Sequence, residues 1–249
     1  MKLNKKLKAA ILKHAEQCYP NECCGVIVSG QYIACRNIST HDDQFEIDPK
    51  DLADAEEWGE IEAYVHSHPN ATARASELDL HQIELHQKPW VICAYPDVEF
   101  QIHKPFGYRA PLVGRDYHHG WQDCYSIVRD FYEREFGLKL IDFERQDRWW
   151  ESKESKSLYL DGFEQAGFVE VNSLQYGDVL LCKVGRTEHV NHAVIYLGNN
   201  PELRSEESTA LVGGPFILHH PYCRKSVREI YGPQWQERTI KVVRHVKNN

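Results

Sequence analysis

The sequence predicts two consecutive domains of mixed α+β and α/β class, and three observations carry that expectation. The chain has 249 residues, more than one small core needs and enough for two of ordinary size. Each half carries helical patterns interleaved with short β-branched runs. Between them, residues 103–115 (HKPFGYRAPLVGR) hold two prolines and two glycines without any period, and read as a linker. The domains are therefore set at 1–106 and 107–249.

In the first domain, Leu3, Leu7, Ile11 and Ala15 fall four apart, the spacing of one face of an amphipathic helix. GVIVSGQYIACRN then reads as two strands turning at Ser29-Gly30. Asp48-Pro49 supplies an N-cap and an N1 proline for a helix to about residue 58. A strand over 61–65, a helix over 76–87 that stops before Pro89, and strands near 90–95 and 98–103 complete the unit. In the second domain the pattern predicts helices over 124–136 and near 155–166. Strands follow at 178–183, 192–197, 216–219 and 239–245, with a long mobile loop at 199–214.

Hydrophobic residues make up 42% and charged residues 27%, so each half can bury its own core and a disordered or fibrous chain is excluded. A net charge of −8 argues against nucleic acid as a partner, because that affinity comes from clustered Lys and Arg. The basic first residues lack an apolar core and a cleavage site, so synthesis and folding in a cytoplasm are expected. No stretch approaches the roughly 18 apolar residues of a membrane span. Eight cysteines without a regular framework read as buried free thiols.

Two constellations carry chemistry. In Tyr64-Val65-His66-Ser67-His68-Pro69, two imidazoles two residues apart at a strand end point to one face. Asp79 follows in the first turn of the next predicted helix. A His₂Asp set leaves a fourth tetrahedral position open, as catalytic rather than structural zinc sites do. Glu22, in the turn before the first strand, is the candidate proton acceptor, and the Ser76 hydroxyl the candidate oxyanion partner. This stretch resembles the JAB/MPN family of metallopeptidases, whose pattern is an upstream Glu followed by H-x-H-P-x₆-S-x-x-D. The resemblance implies a cytidine-deaminase-like layered fold and Zn²⁺ held by His66, His68 and Asp79. It also implies Glu22 as general acid/base, Ser76 as oxyanion partner, and isopeptide hydrolysis as the family chemistry.

The second constellation centres on Cys124, in the first turn of a predicted helix, where unpaired N–H groups and the macrodipole favour a thiolate. Asp123 reads as the helix cap. His192, at the head of the apolar run AVIYLG, is the preferred base over His189 in the preceding turn. The strand end Phe216-Ile217-Leu218-His219-His220 offers two orienting groups, of which His219 is preferred. These motifs resemble the NlpC/P60 family, with a papain-like core, and match Cys124, His192 and His219. The resemblance implies thiol cleavage of the short peptide bridges of peptidoglycan, commonly between D-glutamate and diaminopimelate. Tyr117 is the nearest match to an upstream tyrosine of that family, at a shorter spacing, and is left unassigned.

The two domains in tandem, with a closing segment HH…RKSVREIYGPQW…VVRH, resemble the tail tip assembly family of lambda-like long-tailed phages. That resemblance implies synthesis in the host cytoplasm, a place at the virion tail tip, and action at the host cell wall. Its implied partners are a peptidoglycan peptide and other tail tip proteins. The alternative within the same family is a structural assembly factor whose peptidase sites are dispensable.

Overall fold

A computed structural model describes residues 1–40, 44–146, 148–152 and 157–248 of the chain. The chain divides into two compact units, Met1–Arg109 and Ala110–Asn249.

The first unit is a five-stranded sheet in the order β2-β1-β3-β4-β5. Its strands are β1 (Cys24–Val28), β2 (Gln31–Cys35), β3 (Ile61–Pro69), β4 (Trp90–Tyr95) and β5 (Glu99–His103). β3 and β4 run parallel and the other neighbours antiparallel. A parallel pair needs a crossover, and α3 (Glu77–His86) provides it. The helix α1 (Lys5–Cys18) buries Leu7, Ile11 and Ala15 on one sheet face, against Ile27, Ala63, Val65 and Val91. The helix α2 (Pro49–Glu56) puts Ala55 on the other face, against Cys24, Val26, Val28 and Ile61. β3 is longer than its apolar run suggested, because His66 and His68 continue the pairing with Ile92 and Ala94 of β4. A register shift opposite Ile27/Val28 reverses the alternation, so Ile61 faces the α2 side although Ala63 and Val65 face α1.

The second unit is an antiparallel six-stranded sheet in the order β10-β9-β8-β7-β11-β6. Its strands are β6 (Phe168–Glu170), β7 (Val179–Cys182), β8 (His192–Gly198), β9 (Phe216–His219), β10 (Val227–Ile230) and β11 (Thr239–His245). The helix α4 (Cys124–Phe136) lays Ile127, Val128, Phe131 and Tyr132 on Val179, Leu181, Ala193 and Ile195. On the opposite face Trp235, from α6 (Pro233–Arg238), joins Leu180, Cys182, Val194 and Ile217. β6, β10 and α6 are too short to give a periodic signal and were not anticipated. The expected helix near 155–166 shrinks to α5 (Leu158–Gly162), and its first two positions lie outside the described residues.

Two segments carry more contacts than a plain loop or linker. Residues 199–214 form no helix or strand, and several of them are held by hydrogen bonds to the rest of the unit. Glu135 accepts from the N–H groups of Arg204 and Ser205, Glu206 accepts from those of Leu112 and Val113, and Arg228 donates to the carbonyls of Pro201 and Thr209. The segment 103–115 is likewise only half a linker: Glu84 Oε1 gathers the N–H groups of Phe106, Gly107 and Tyr108, while Leu112 and Arg115 are fully buried in the second unit.

Candidate functional site

In the first unit the continued β3 strand puts His66 and His68 on one face, and the start of α3 brings Asp79 to them. His66 Nε2 lies 3.0 Å from His68 Nε2 and 3.1 Å from Asp79 Oδ1, and His68 Nε2 lies 3.3 Å from Asp79 Oδ2. His68 Nδ1 donates to the Thr72 carbonyl at 2.9 Å, which orients its Nε2 toward the cluster. Phe45 stacks on His66 at 4.7 Å and Trp90 meets it edge-on at 5.4 Å. Burial lowers the His66 pKa and keeps the ring a neutral donor. Burial also opposes ionisation of Asp79, but hydrogen bonds from His66, His68 and Ser76 outweigh it and hold the carboxyl well below the usual range.

A tetrahedral ion with bonds of about 2.0–2.1 Å separates its ligands by about 3.3 Å. The two imidazole nitrogens lie 3.0 Å apart and each lies within 3.3 Å of one oxygen of the Asp79 carboxylate, close to that spacing, and two imidazoles with a carboxylate suit zinc. The residues therefore fit the metal. Glu22 is buried two residues before Cys24, which pairs with His66, and its charge acts to raise the His68 pKa against the lowering effect of burial. Ser76 is the N-cap of α3: its hydroxyl donates to Asp79 Oδ2 at 2.7 Å and accepts from Asp79 N at 3.1 Å. That hydroxyl has one proton, and in this structure Asp79 holds it.

In the second unit, Cys124 opens α4 behind the cap residue Asp123, whose Oδ1 accepts from Tyr125 N and Ser126 N at 3.0 and 2.8 Å. Its Sγ lies 3.0 Å from the Tyr159 hydroxyl, and the Ala193 N–H, one residue after His192, also acts on the thiol. Here the structure departs from the thiolate expected at a helix start. Burial and the adjacent Asp123 carboxylate push the Cys124 thiol up to about 11, against the opposing pull of Tyr159, Ala193 and Arg145.

His192 and His219 meet through Nε2 and Nδ1 at 2.9 Å, and His219 Nε2 reaches Glu229 Oε1 at 3.0 Å. Trp235 lies against the His192 ring at 5.8 Å and 28° and donates to Glu229 at 2.6 Å. Burial, followed by the neighbouring His219, holds His192 well below its ordinary pKa and therefore neutral. His220, the other candidate orienting group, faces the Tyr117 ring instead, and neither of its nitrogens has a partner among the described residues. Tyr117 has its hydroxyl 3.2 Å from His119 Nδ1, and the charge of Cys124 is among the causes that raise its pKa. Tyr159, Arg145 and Glu229 were not singled out from the sequence. Tyr159 falls in a stretch with no motif, whereas Glu229 and Trp235 belong to the closing RKSVREIYGPQW segment.

Residues 4–103 match the family described as prokaryotic homologs of the JAB domain, and residues 114–244 match the NlpC/P60 family. The tail tip assembly protein K of Escherichia phage N15 is 36% identical over 242 residues, covering 95% of this chain and 93% of that protein. The tail tip assembly protein K of Escherichia phage lambda is 38% identical over 200 residues, covering 79% and 88%. A JAB1/MPN domain protein from Archaeoglobus fulgidus is 22% identical, covering 42% of this chain and 89% of that one, with a TM-score of 0.29.

Proposed function

The chain belongs to the tail tip assembly protein K family, with a JAB domain followed by an NlpC/P60 domain, and from that premise we propose a tail tip-associated peptidase that cuts peptidoglycan peptides by thiol chemistry. The observation that carries this reading is the thiol of Cys124 at a helix start, in the same unit as the His192–His219 pair, which joins the first residue of β8 to the last of β9.

With His192 Nε2 engaged by His219, Nδ1 is the nitrogen left to act as base. It takes the thiol proton as sulfur bonds to the scissile carbonyl carbon and the carbonyl electron pair moves to oxygen. Collapse breaks the C–N bond, and the imidazolium returns the proton to the leaving amine. Water, deprotonated by the same imidazole, then cleaves the thioester and frees Cys124. Burial favours the neutral form of both the thiol and the imidazole at rest.

In the first unit, His66, His68 and Asp79 would hold zinc, and Glu22 would accept and return a proton beside it. Bound zinc supplies Lewis-acid polarisation of an amide carbonyl, which suits cleavage of a protein or isopeptide bond during tail maturation. Ser76, the N-cap of α3, assists by fixing Asp79 through its hydroxyl.

The test is digestion of muropeptides by the whole chain with mass-spectrometric readout. Wild type and His66→Ala should release the same fragments and Cys124→Ala none. Equal fragments from wild type and Cys124→Ala would overturn the thiol reading. Metal analysis of fresh protein should find about one zinc per chain, lost in His66→Ala. Its absence from wild type would overturn the zinc reading.

A further inference from the structure

The closing segment that carries Glu229 has no part in the chemistry above, yet it ends the hydrogen-bond chain that starts at the base. β10 pairs with β9 so that Glu229 stands opposite Ile217, diagonal to His219. A long side chain at that diagonal reaches across. Its Oε1 lies 3.0 Å from His219 Nε2 and accepts from the Trp235 indole N–H at 2.6 Å.

A carboxylate can only accept, so His219 must carry its proton on Nε2. A neutral imidazole has one N–H, so His219 Nδ1 is then an acceptor and His192 Nε2 must be the donor across their 2.9 Å contact. His192 is thereby left with a bare Nδ1, the form a base requires. Without the carboxylate, His219 could equally protonate Nδ1 and turn His192 into the opposite tautomer, which has no lone pair for the thiol proton.

We propose that Glu229 is a positioning residue that sets the tautomers of His219 and, through it, of His192, and so makes the thiol site competent. The proposal rests on the thiol-peptidase reading for its consequence, but the tautomer relay stands on geometry alone. Other titratable or charged groups face this relay: His220, Arg238 and Asp123 act on His192, and Arg224 on Glu229. Among the described residues the two ring nitrogens of His219 meet only His192 and Glu229, so none of these other groups fixes its proton. Trp235 covers both rings, lying 4.7 Å from His219, and steadies the carboxylate rather than the tautomer.

The experiment uses the full chain labelled with ¹⁵N-histidine, in wild type, Glu229→Gln and Glu229→Leu, each checked by circular dichroism. Long-range ¹⁵N–¹H spectra at pH 7.5 read the protonated nitrogen of each ring, and the pH profile of Cys124 alkylation by iodoacetamide reads the outcome at sulfur. Wild type should show His219 protonated on Nε2 only and His192 protonated on Nε2. Glu229→Gln keeps an acceptor and should keep both tautomers while alkylation slows severalfold. Glu229→Leu should mix the tautomers and slow alkylation about tenfold or more at neutral pH.

A wild-type His219 protonated on Nδ1, or on both nitrogens, would overturn the proposal, as would unchanged tautomers in Glu229→Leu. If Glu229→Leu fails to fold, Glu229→Gln together with the wild-type spectrum still decides the assignment. An alkylation rate that ignores His192→Ala would instead reject the thiol-peptidase reading and leave the tautomer result standing.

Discussion

Arg145 Nε lies 2.7 Å from Asp123 Oδ2, and both side chains are almost wholly buried beneath the first turn of the helix that presents Cys124. The guanidinium also binds the Gly120 carbonyl, the Ser126 hydroxyl and Asp142, so one cation ties the approach to the helix, its first turn and the 142–145 segment together. Burial would raise the Asp123 pKa, but Arg145 overrides it and holds the carboxyl below its usual range. Removing Asp123 leaves the buried guanidinium with only the half-exposed Asp142 as counter-ion among the described residues. Asp123→Ala, which also loses the cap, should therefore cost about 3–5 kcal/mol in urea unfolding of the C-terminal unit. Asp123→Asn, which retains an acceptor for the two helix N–H groups, should cost less.

Acid should weaken this unit through its buried neutral histidines. Burial, reinforced by Arg115, lowers His220 to about 3, and burial holds His192 well below 6.5. A native pKa below the unfolded one means the unfolded chain binds more protons as pH falls through about 6.5. Stability is then full above that pH and declines below it, until the native ring itself protonates. At about 1.4 kcal/mol per pH unit, His220 accounts for roughly 2 kcal/mol of loss between pH 7 and 5. Paired urea titrations at the two pH values should show that loss shrinking by about 2 kcal/mol in His220→Phe.

The capping box of α3 predicts a metal phenotype for a residue that is not a ligand. Ser76 grips Asp79 through two hydrogen bonds of 2.7 Å, one from its hydroxyl and one from its backbone N–H. Ser76→Ala removes the first. Zinc affinity in a chelator-competition titration should fall about 10–100-fold, with about 0.5–2 kcal/mol lost from the helix. Unchanged affinity would free the hydroxyl for a different task.

The parts of the fold that were legible in the sequence are those where a period survives several residues or a turn pair marks an end. The α1 stripe, the Ser29-Gly30 hairpin and the Asp123-capped α4 are of this kind. β6, β10 and α6 span three, four and six residues, too few for any period to register. The site divides the same way. His66, His68 and Asp79 sit at fixed spacings on adjoining elements, so the cluster could be read before it was seen. Tyr159 reaches Cys124 from 35 residues away, and Glu229 reaches His219 across a strand pair that was not anticipated. Contacts of that sort depend on tertiary placement, and nothing local announces them. Composition could not reveal the charge state of Cys124 either, because a helix start favours a thiolate while full burial opposes it, and burial wins.

Tyr159 then becomes the residue on which thiol reactivity turns. In the resting state the sulfur carries a proton and can donate it to the Tyr159 oxygen at 3.0 Å. Once the sulfur ionises, the hydroxyl must rotate and donate to the thiolate, which is the sense in which Tyr159 lowers the Cys124 pKa. Deleting the oxygen removes a bond that stabilises the ionised form more than the neutral one. One hydrogen bond is worth about 0.5–1.5 kcal/mol, or roughly 2- to 13-fold in thiolate population. Tyr159→Phe should slow alkylation of Cys124 by about that factor at fixed pH, displace its pH profile upward, and shift unfolding by less than about 1 kcal/mol. A profile that coincides with wild type would mean that the hydroxyl never turns toward the thiolate, and that Ala193 N–H and Arg145 stabilise the charge without it.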